Sequence, residues 1–425
     1  MTRGVAFSIF LAVLGSVLAL AHWYLWKRKV RDTAPPRLVR RVVTGVLVAG
    51  GVLIPTALVG ARAFRLEAFA PLVYAAFVWL GFVFYAVLLL VSWDVLWGLL
   101  ALAGRRPAER GGVNAAPAHA AEKVARASVT ITAGEPRYCG RVDVGRRVFL
   151  ARVGAGTAFV GAGGLNGWGV REALSSDIRT PEVPVRLARL PRALSGFRIA
   201  VLADLHIGPV LGREFVEQVV EQTNRLRADA VVIVGDLVDN TPARIANDIE
   251  PLARLAAAHG VYFATGNHEF YVGADAWLAH LPTLGIRVLA NERVAVGDRN
   301  RGGATFDLAG VHDLHGGRFN PRHRPDVGAA LAGRDAQREL ILLAHQPRMI
   351  DDAARHGVGL QVSGHTHGGQ LWPFGALVLL AQPYLAGLHA HTETTQIYVT
   401  RGTGFWGPPM RIGAPAEITQ LVLTA

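Results

Sequence analysis

The feature that most constrains this chain is a set of three long apolar runs crowded into its first 104 residues. Residues 5–26, 42–60 and 71–104 each reach or exceed the roughly 20 residues that carry a helix across a bilayer. A surface helix of a soluble domain would show a polar face, and none of these runs does. The third run is longer than one crossing and is interrupted by Asp94. It predicts a span near 71–91 and then an interfacial turn carrying Trp93 and Trp97. A fourth, weaker span is predicted at residues 148–170. This Gly-rich stretch comes after Arg146 and Arg147 in the manner of a twin-arginine export signal placed inside the chain. Its glycines lack the preceding strand and downstream acid of a dinucleotide fingerprint, and a Gly-rich linker is the alternative.

Charge divides the chain at Ser176. The first 176 residues hold 21 Lys+Arg against 8 Asp+Glu, whereas the remaining 249 hold 23 against 24. A nucleic-acid partner is therefore not expected for the C-terminal part, which has no basic excess. Within the N-terminal part, residues 27–41 and the basic linker 105–147 are Arg-rich, and residues 61–70 are not. The first two should face the cytoplasm. The protein is thus expected to be multi-pass in the cell membrane. Its C-terminal domain is exoplasmic if 148–170 spans and cytoplasmic if it does not. The single cysteine, Cys139, excludes an intrachain disulfide and a Cys-based zinc site.

From 177 to 425 the composition becomes that of one large α/β domain. Residues 198–203, 230–234, 261–265, 340–344 and 360–363 read as buried strands, and 213–226 as an amphipathic helix completing a βαβ unit. The chemistry sits at the strand ends. The five runs lead into Asp204-Leu205-His206, Gly235-Asp236, Gly266-Asn267-His268-Glu269, His345, and Gly364-His365-Thr366-His367. Ligands of open α/β sheets bind beyond the carboxyl ends of strands, so all five groups belong to one rim. A lone Asp-x-His or His-x-His is most often a surface or cap feature; five in order at strand ends are not. Two Asp, one Asn and four His offer oxygen and nitrogen but no thiolate, which suits Mn²⁺, Fe or Zn²⁺. Seven ligands are too many for one tetrahedral ion and suit two ions sharing a carboxylate, a pair about 3.5–4 Å apart that can clamp an in-line phosphoryl displacement.

This order of motifs resembles the calcineurin-like metallophosphoesterase superfamily. The closer resemblance is to its membrane-linked bacterial branch, similar to the YkuE and YaeI phosphoesterases, through the strings GHTHGGQLWPFG (364–375) and RGTGFWGPPMRIGAPAEIT (401–419) and the LLAHQP around His345. The resemblance covers 198 to the C-terminus. It implies two mixed sheets face to face, flanked by helices. It also implies one divalent ion on Asp204, His206, Asp236 and His367 and a second on Asp236, Asn267, His345 and His365, with manganese favoured. A hydroxide between the ions would attack phosphorus in line, with His268 protonating the leaving alkoxide.

Other residues carry less. Asp239 is expected to orient an imidazole or close a turn, and Glu269 to support the site or cap a helix. His312 and Asp313 are expected in a loop lining the substrate cleft, His389 and His391 in a solvated loop. Arg401 and Arg411 either meet substrate phosphate or are structural. The sequence therefore predicts a membrane-anchored dinuclear phosphoesterase, a diester being favoured and a lipid or envelope phosphoester suggested by the anchor. Its alternatives are a membrane sensor or scaffold that binds metal or nucleotide without turnover, and a transporter, which the scarcity of intramembrane charge disfavours.

Overall fold

The computed structural model describes residues 3–63, 66–103, 144–298 and 303–425. Most of the expected linker, with Cys139, lies outside the described residues. The chain divides into two units, Met1–Val48 with Phe84–Ala162, and Ala49–Val83 with Gly163–Ala425.

Among the described residues, four long helices precede the sheets: α1 (Arg3–Trp26), α2 (Arg37–Ala63), α3 (Leu66–Ala103) and α4 (Val144–Ala173). Among the described residues, three stretches are long and apolar enough to cross a membrane, namely Arg37–Ala57, Phe69–Leu100 and Arg147–Ala173. The interfacial turn expected after Val91 is absent: α3 runs unbroken through Asp94. The reason is local, since in the first unit the Asp94 carboxylate accepts from the Tyr24 hydroxyl at 2.7 Å and pairs with Arg28. A paired carboxylate need not end a helix, because its charge is met without reaching water. The Gly-rich segment after Arg147 is helical rather than a linker.

Among the described residues, the second unit holds twelve strands. They are β1 (Glu182–Arg186), β2 (Phe197–Leu202), β3 (Ala230–Val234), β4 (Val261–Ala264), β5 (Ile286–Val288), β6 (Glu292–Asp298), β7 (Ala304–Gly310), β8 (Leu340–Leu343), β9 (Leu360–Ser363), β10 (Gly387–Ala390), β11 (Gln396–Val399) and β12 (Thr419–Thr424). One sheet has the order β1-β12-β2-β3-β4-β5, the other β10-β11-β9-β8-β7-β6. Both are mixed: β2 through β5 run parallel while β12 is antiparallel to β2, and β7, β8, β9 and β11 run parallel while β6 and β10 are antiparallel.

Alternation along the strands explains the layering. Ile199, Val201, Val232 and Val234 of the first sheet pack with Phe306, Leu308, Ile341, Leu343 and Val362 of the second in one core. The residues between them, such as Ala200, Leu202, Val231 and Ile233, point outward to α5 (Arg213–Arg225) and α6 (Pro242–Ile249), through Val216, Val219 and Ile245. Leu340 and Leu342 do the same on the far side against Ile350 and Ala353. Strands buried on both faces read as continuous apolar runs, which is why β2, β3, β4, β8 and β9 are legible in the sequence. The helix expected over 213–226 is α5.

Candidate metal centre

Backbone bonds lash the loops after β2 and β3 together: Asp204 N–H donates to Gly235 O at 3.0 Å and His206 N–H to Asp236 O at 3.1 Å. The other sheet joins through His345 Nδ1, 2.8 Å from Val234 O, and His365 N–H, 3.0 Å from Asp204 Oδ1. Asp204, His206, Asp236, His365 and His367 all hold φ between 50° and 72°. That left-handed backbone costs a non-glycine residue about 1–3 kcal/mol and persists only where surroundings over-determine it. Gly235, at φ 76°, supplies the turn before Asp236, where a side chain would strike the Gly266 backbone and the His345 ring.

Two cradles result. In one, ligand atoms of Asp204, His206 and His367 lie within 4.8 Å of one another; in the other, those of Asp236, His345 and His365 do. Asp236 Oδ2 lies 3.1 Å from His345 Nε2 and 3.9 Å from His206 Nε2, so it stands between the cradles. Asn267 opens α7 (Asn267–Val272) and is buried. All seven expected ligands are thus brought to one rim.

The donor set fits divalent cations. Asn267 Oδ1 is buried and lacks a hydrogen-bond partner among the described residues, a costly arrangement unless something else binds it. His345 and His206 place Nδ1 on Val234 O and Asp239 Oδ1 respectively, which turns Nε2 inward as a metal ligand requires. Asp239 Oδ1 also lies 2.6 Å from His268 Nδ1. The proximity of His206, Asp239 and His268 is accounted for by these bonds.

Among the side chains alone, burial pushes the Asp204 carboxyl up to about 6. Burial also opposes ionisation of Asp236, but His345, His268 and His206 hold it well below the usual carboxylate range. For His268, burial is outweighed by Asp236 and Asp239, which raise the imidazole to about 9. His365 is lowered to about 3 by burial and by His345, and burial with His206 likewise lowers His367; both keep the neutral ring that ligates metal. Glu269 is buried, and its carboxylate accepts from Gly266, Asp236 and Leu237 N–H at 2.6, 3.1 and 2.8 Å. It ties the Asp236 loop to the start of α7, combining both roles the sequence allowed.

Several weaker expectations change. Asp313 is 2% exposed, and its carboxylate accepts twice from Gln346 Nε2; His312 is buried beside Thr265 and His323. They brace the rim from beneath rather than line a cleft, because their polar atoms are needed to satisfy one another inside. His389 lies on β10 rather than in a loop, its ring stacked on Tyr384, whereas His391 sits in the half-buried, partly solvated bend after β10, where it pairs with Asp351 and Tyr384. Arg411 is fully buried and donates to the carbonyls of Arg401, Gly404 and Ala414, which leaves it structural. Arg401 pairs with Glu417 at 3.0 Å.

Sequence reasoning gave no role to Tyr271 and Trp406, whose rings stand 5.1 and 5.8 Å from His268 and wall its open side. Tyr271 lies one helical turn beyond His268, a signal the sequence does contain.

The calcineurin-like phosphoesterase profile matches residues 197–369, which hold every residue of both cradles. An uncharacterized metallophosphoesterase of Aquifex aeolicus is 33% identical over 242 residues, covering 57% of this chain and 90% of that protein. The chain belongs to the calcineurin-like phosphoesterase family. Among other relatives of this phosphoesterase, an uncharacterized metallophosphoesterase of Helicobacter pylori is 42% identical over 243 residues, 57% of this chain and 63% of that one. A transmembrane protein with metallophosphoesterase domain from Danio rerio is 42% identical over 246 residues, 57% of this chain and 56% of that one. The chain therefore spans about three fifths of the length of these last two relatives. The resemblance read from the motif order is the family found.

Proposed function

We propose that the chain hydrolyses a phosphate ester, a diester being favoured, at a pair of divalent cations. The supporting observation is the paired cradle, with Asp236 between two triads and the buried Asn267 Oδ1 left without a partner among the described residues. Asp204, His206, Asp236 and His367 would hold one cation and Asp236, Asn267, His345 and His365 the other. Bound there, the cations supply Lewis acidity and a nucleophile drawn from water at neutral pH, manganese being the favoured metal. His268 holds a proton on Nε2 and delivers it to the departing oxygen, while Asp239 fixes the ring's orientation from Nδ1. Tyr271 and Trp406 flank the leaving group and exclude water from that transfer.

The catalytic domain is held in the membrane by its N-terminal apolar helices, three of them of membrane length, and, with Arg147–Ala173 spanning, faces the exoplasmic side. That placement favours a lipid or envelope phosphoester. The test uses full-length protein in nanodiscs with bis(p-nitrophenyl) phosphate. Hydrolysis should vanish with a chelator and return with Mn²⁺, and Asp236→Asn should lose both ions together. Metal bound at full occupancy with no turnover on mono- or diesters would instead favour the sensor reading.

A further inference from the structure

The segment after the last two histidines of the rim is apolar and outward-facing. Residues 368–388 contain no Asp, Glu, Lys or Arg. Within them Trp372, Phe374, Leu377, Leu379 and Leu380 are 44–84% exposed. Consecutive turns compact these side chains onto one knob: Leu377 N–H donates to Phe374 O, Leu379 N–H to Gly375 O and Leu380 N–H to Leu377 O. The knob is fixed at its base, where the Gly375 backbone comes so close to Gly369 that a side chain on Gly369 would strike it. A contiguous apolar patch of this kind marks an interaction surface.

Its occupant is indicated by the neighbours to which the knob is tied. Leu371 bridges Ile412, and Trp372 N–H donates to Ile412 O at 2.9 Å. The strap 410–412 in turn is seated on the apolar helices of the same unit. Met410 fills the notch at Gly81 of α3, Met410 and Ile412 that at Gly169 of α4, and Arg411 N–H donates to Gly169 O at 3.0 Å. Both glycines lie in stretches long and apolar enough to span. We infer that residues 371–381 form an interfacial wedge that enters the headgroup–acyl boundary of the same membrane that holds the helices. Uncharged sequence, a Trp at the rim and continuity with membrane-length helices all favour lipid over a protein partner.

The wedge shares its rim with the metal centre. It begins a few residues after His367, and the Gln370 amide donates to Trp406 O at 2.9 Å and Pro408 O at 3.1 Å, Trp406 being the ring beside His268. A phosphoester carried on a lipid would reach the cradles without leaving the surface. This consequence rests on the hydrolase reading; insertion of the wedge does not.

The test is a depth measurement on full-length Cys139→Ser protein in phosphatidylcholine–phosphatidylglycerol nanodiscs. A nitroxide is placed at Leu380→Cys and, as control, at the exposed Glu221→Cys on α5. Power saturation should show oxygen outcompeting a water-soluble nickel chelate at 380 and the reverse at 221. Equal chelate access at both sites overturns the proposal, as does dipolar broadening or a label shielded from both relaxants, which would place a second copy or another protein on the patch. Separately, Leu377→Asp/Leu380→Asp should leave chromogenic diester hydrolysis within about twofold and lower hydrolysis of phospholipid vesicles roughly tenfold. Loss of both activities with insertion intact would indict the substrate reading and spare the wedge.

Discussion

At the scale of single residues, one oxygen organises two rings. Asp239 Oδ1 lies 2.9 Å from His206 Nδ1 and 2.6 Å from His268 Nδ1. Asp239→Asn keeps the shape and removes the charge, and steady-state kinetics should show turnover falling about 10–100-fold, the usual worth of such a partner. His268→Ala should cost more, about 10²–10⁴ in turnover, with metal content by elemental analysis unchanged. A different titration belongs to His312. Burial first, then repulsion from His323, lowers it to about 4, with Asp275 pulling the other way. Its folded form stays neutral while the unfolded chain binds a proton near the ordinary histidine value. Stability therefore drops as pH falls from about 6.5 towards 4. The difference in Tm between wild type and His312→Phe, followed across that range by intrinsic fluorescence, should shrink or change sign at the acid end.

At the scale of elements, the C-terminal loops are held by Arg411, whose guanidinium bonds the carbonyls of Arg401, Gly404 and Ala414 from a fully buried position. Arg411→Lys keeps the charge and loses the fork, so a thermal melt should show a loss on the order of 3 kcal/mol. The sequence leaves this arginine open between phosphate and structure, because burial of a charged side chain depends on carbonyls that only the fold assembles. Apolar runs such as AVVIV are readable as strands, since a strand buried on both faces needs no polar alternation. β1, β5 to β7 and β10 to β12 do not stand out, because edge or short strands such as EVPVR and GLHA resemble loops until a neighbour pairs with them. The rim is legible for the opposite reason: its ligands sit directly after readable strands. Asp94 misleads because its partners, Tyr24 and Arg28, come from a stretch of chain some 66–70 residues away.

At the scale of the whole molecule, the excess of basic over acidic residues lies before Ser176 and the candidate metal ligands after it. If Arg147–Ala173 spans, alkaline phosphatase fused after Ala425 should be active and a fluorescent protein there dark; the reverse pattern would put the catalytic domain in the cytoplasm. The position of β12 has its own consequence. The strand lies between β1 and β2, pairing Leu421 with Val183 on one side and with Ile199 on the other. A nascent chain still short of residue 419 has β1 unpaired and the flank of β2 open, although α1 to α4 have long since left the ribosome. Until translation supplies that strand, bare backbone donors and acceptors stand ready to pair with another polypeptide. Premature stops just upstream should therefore give aggregates rather than shortened enzyme.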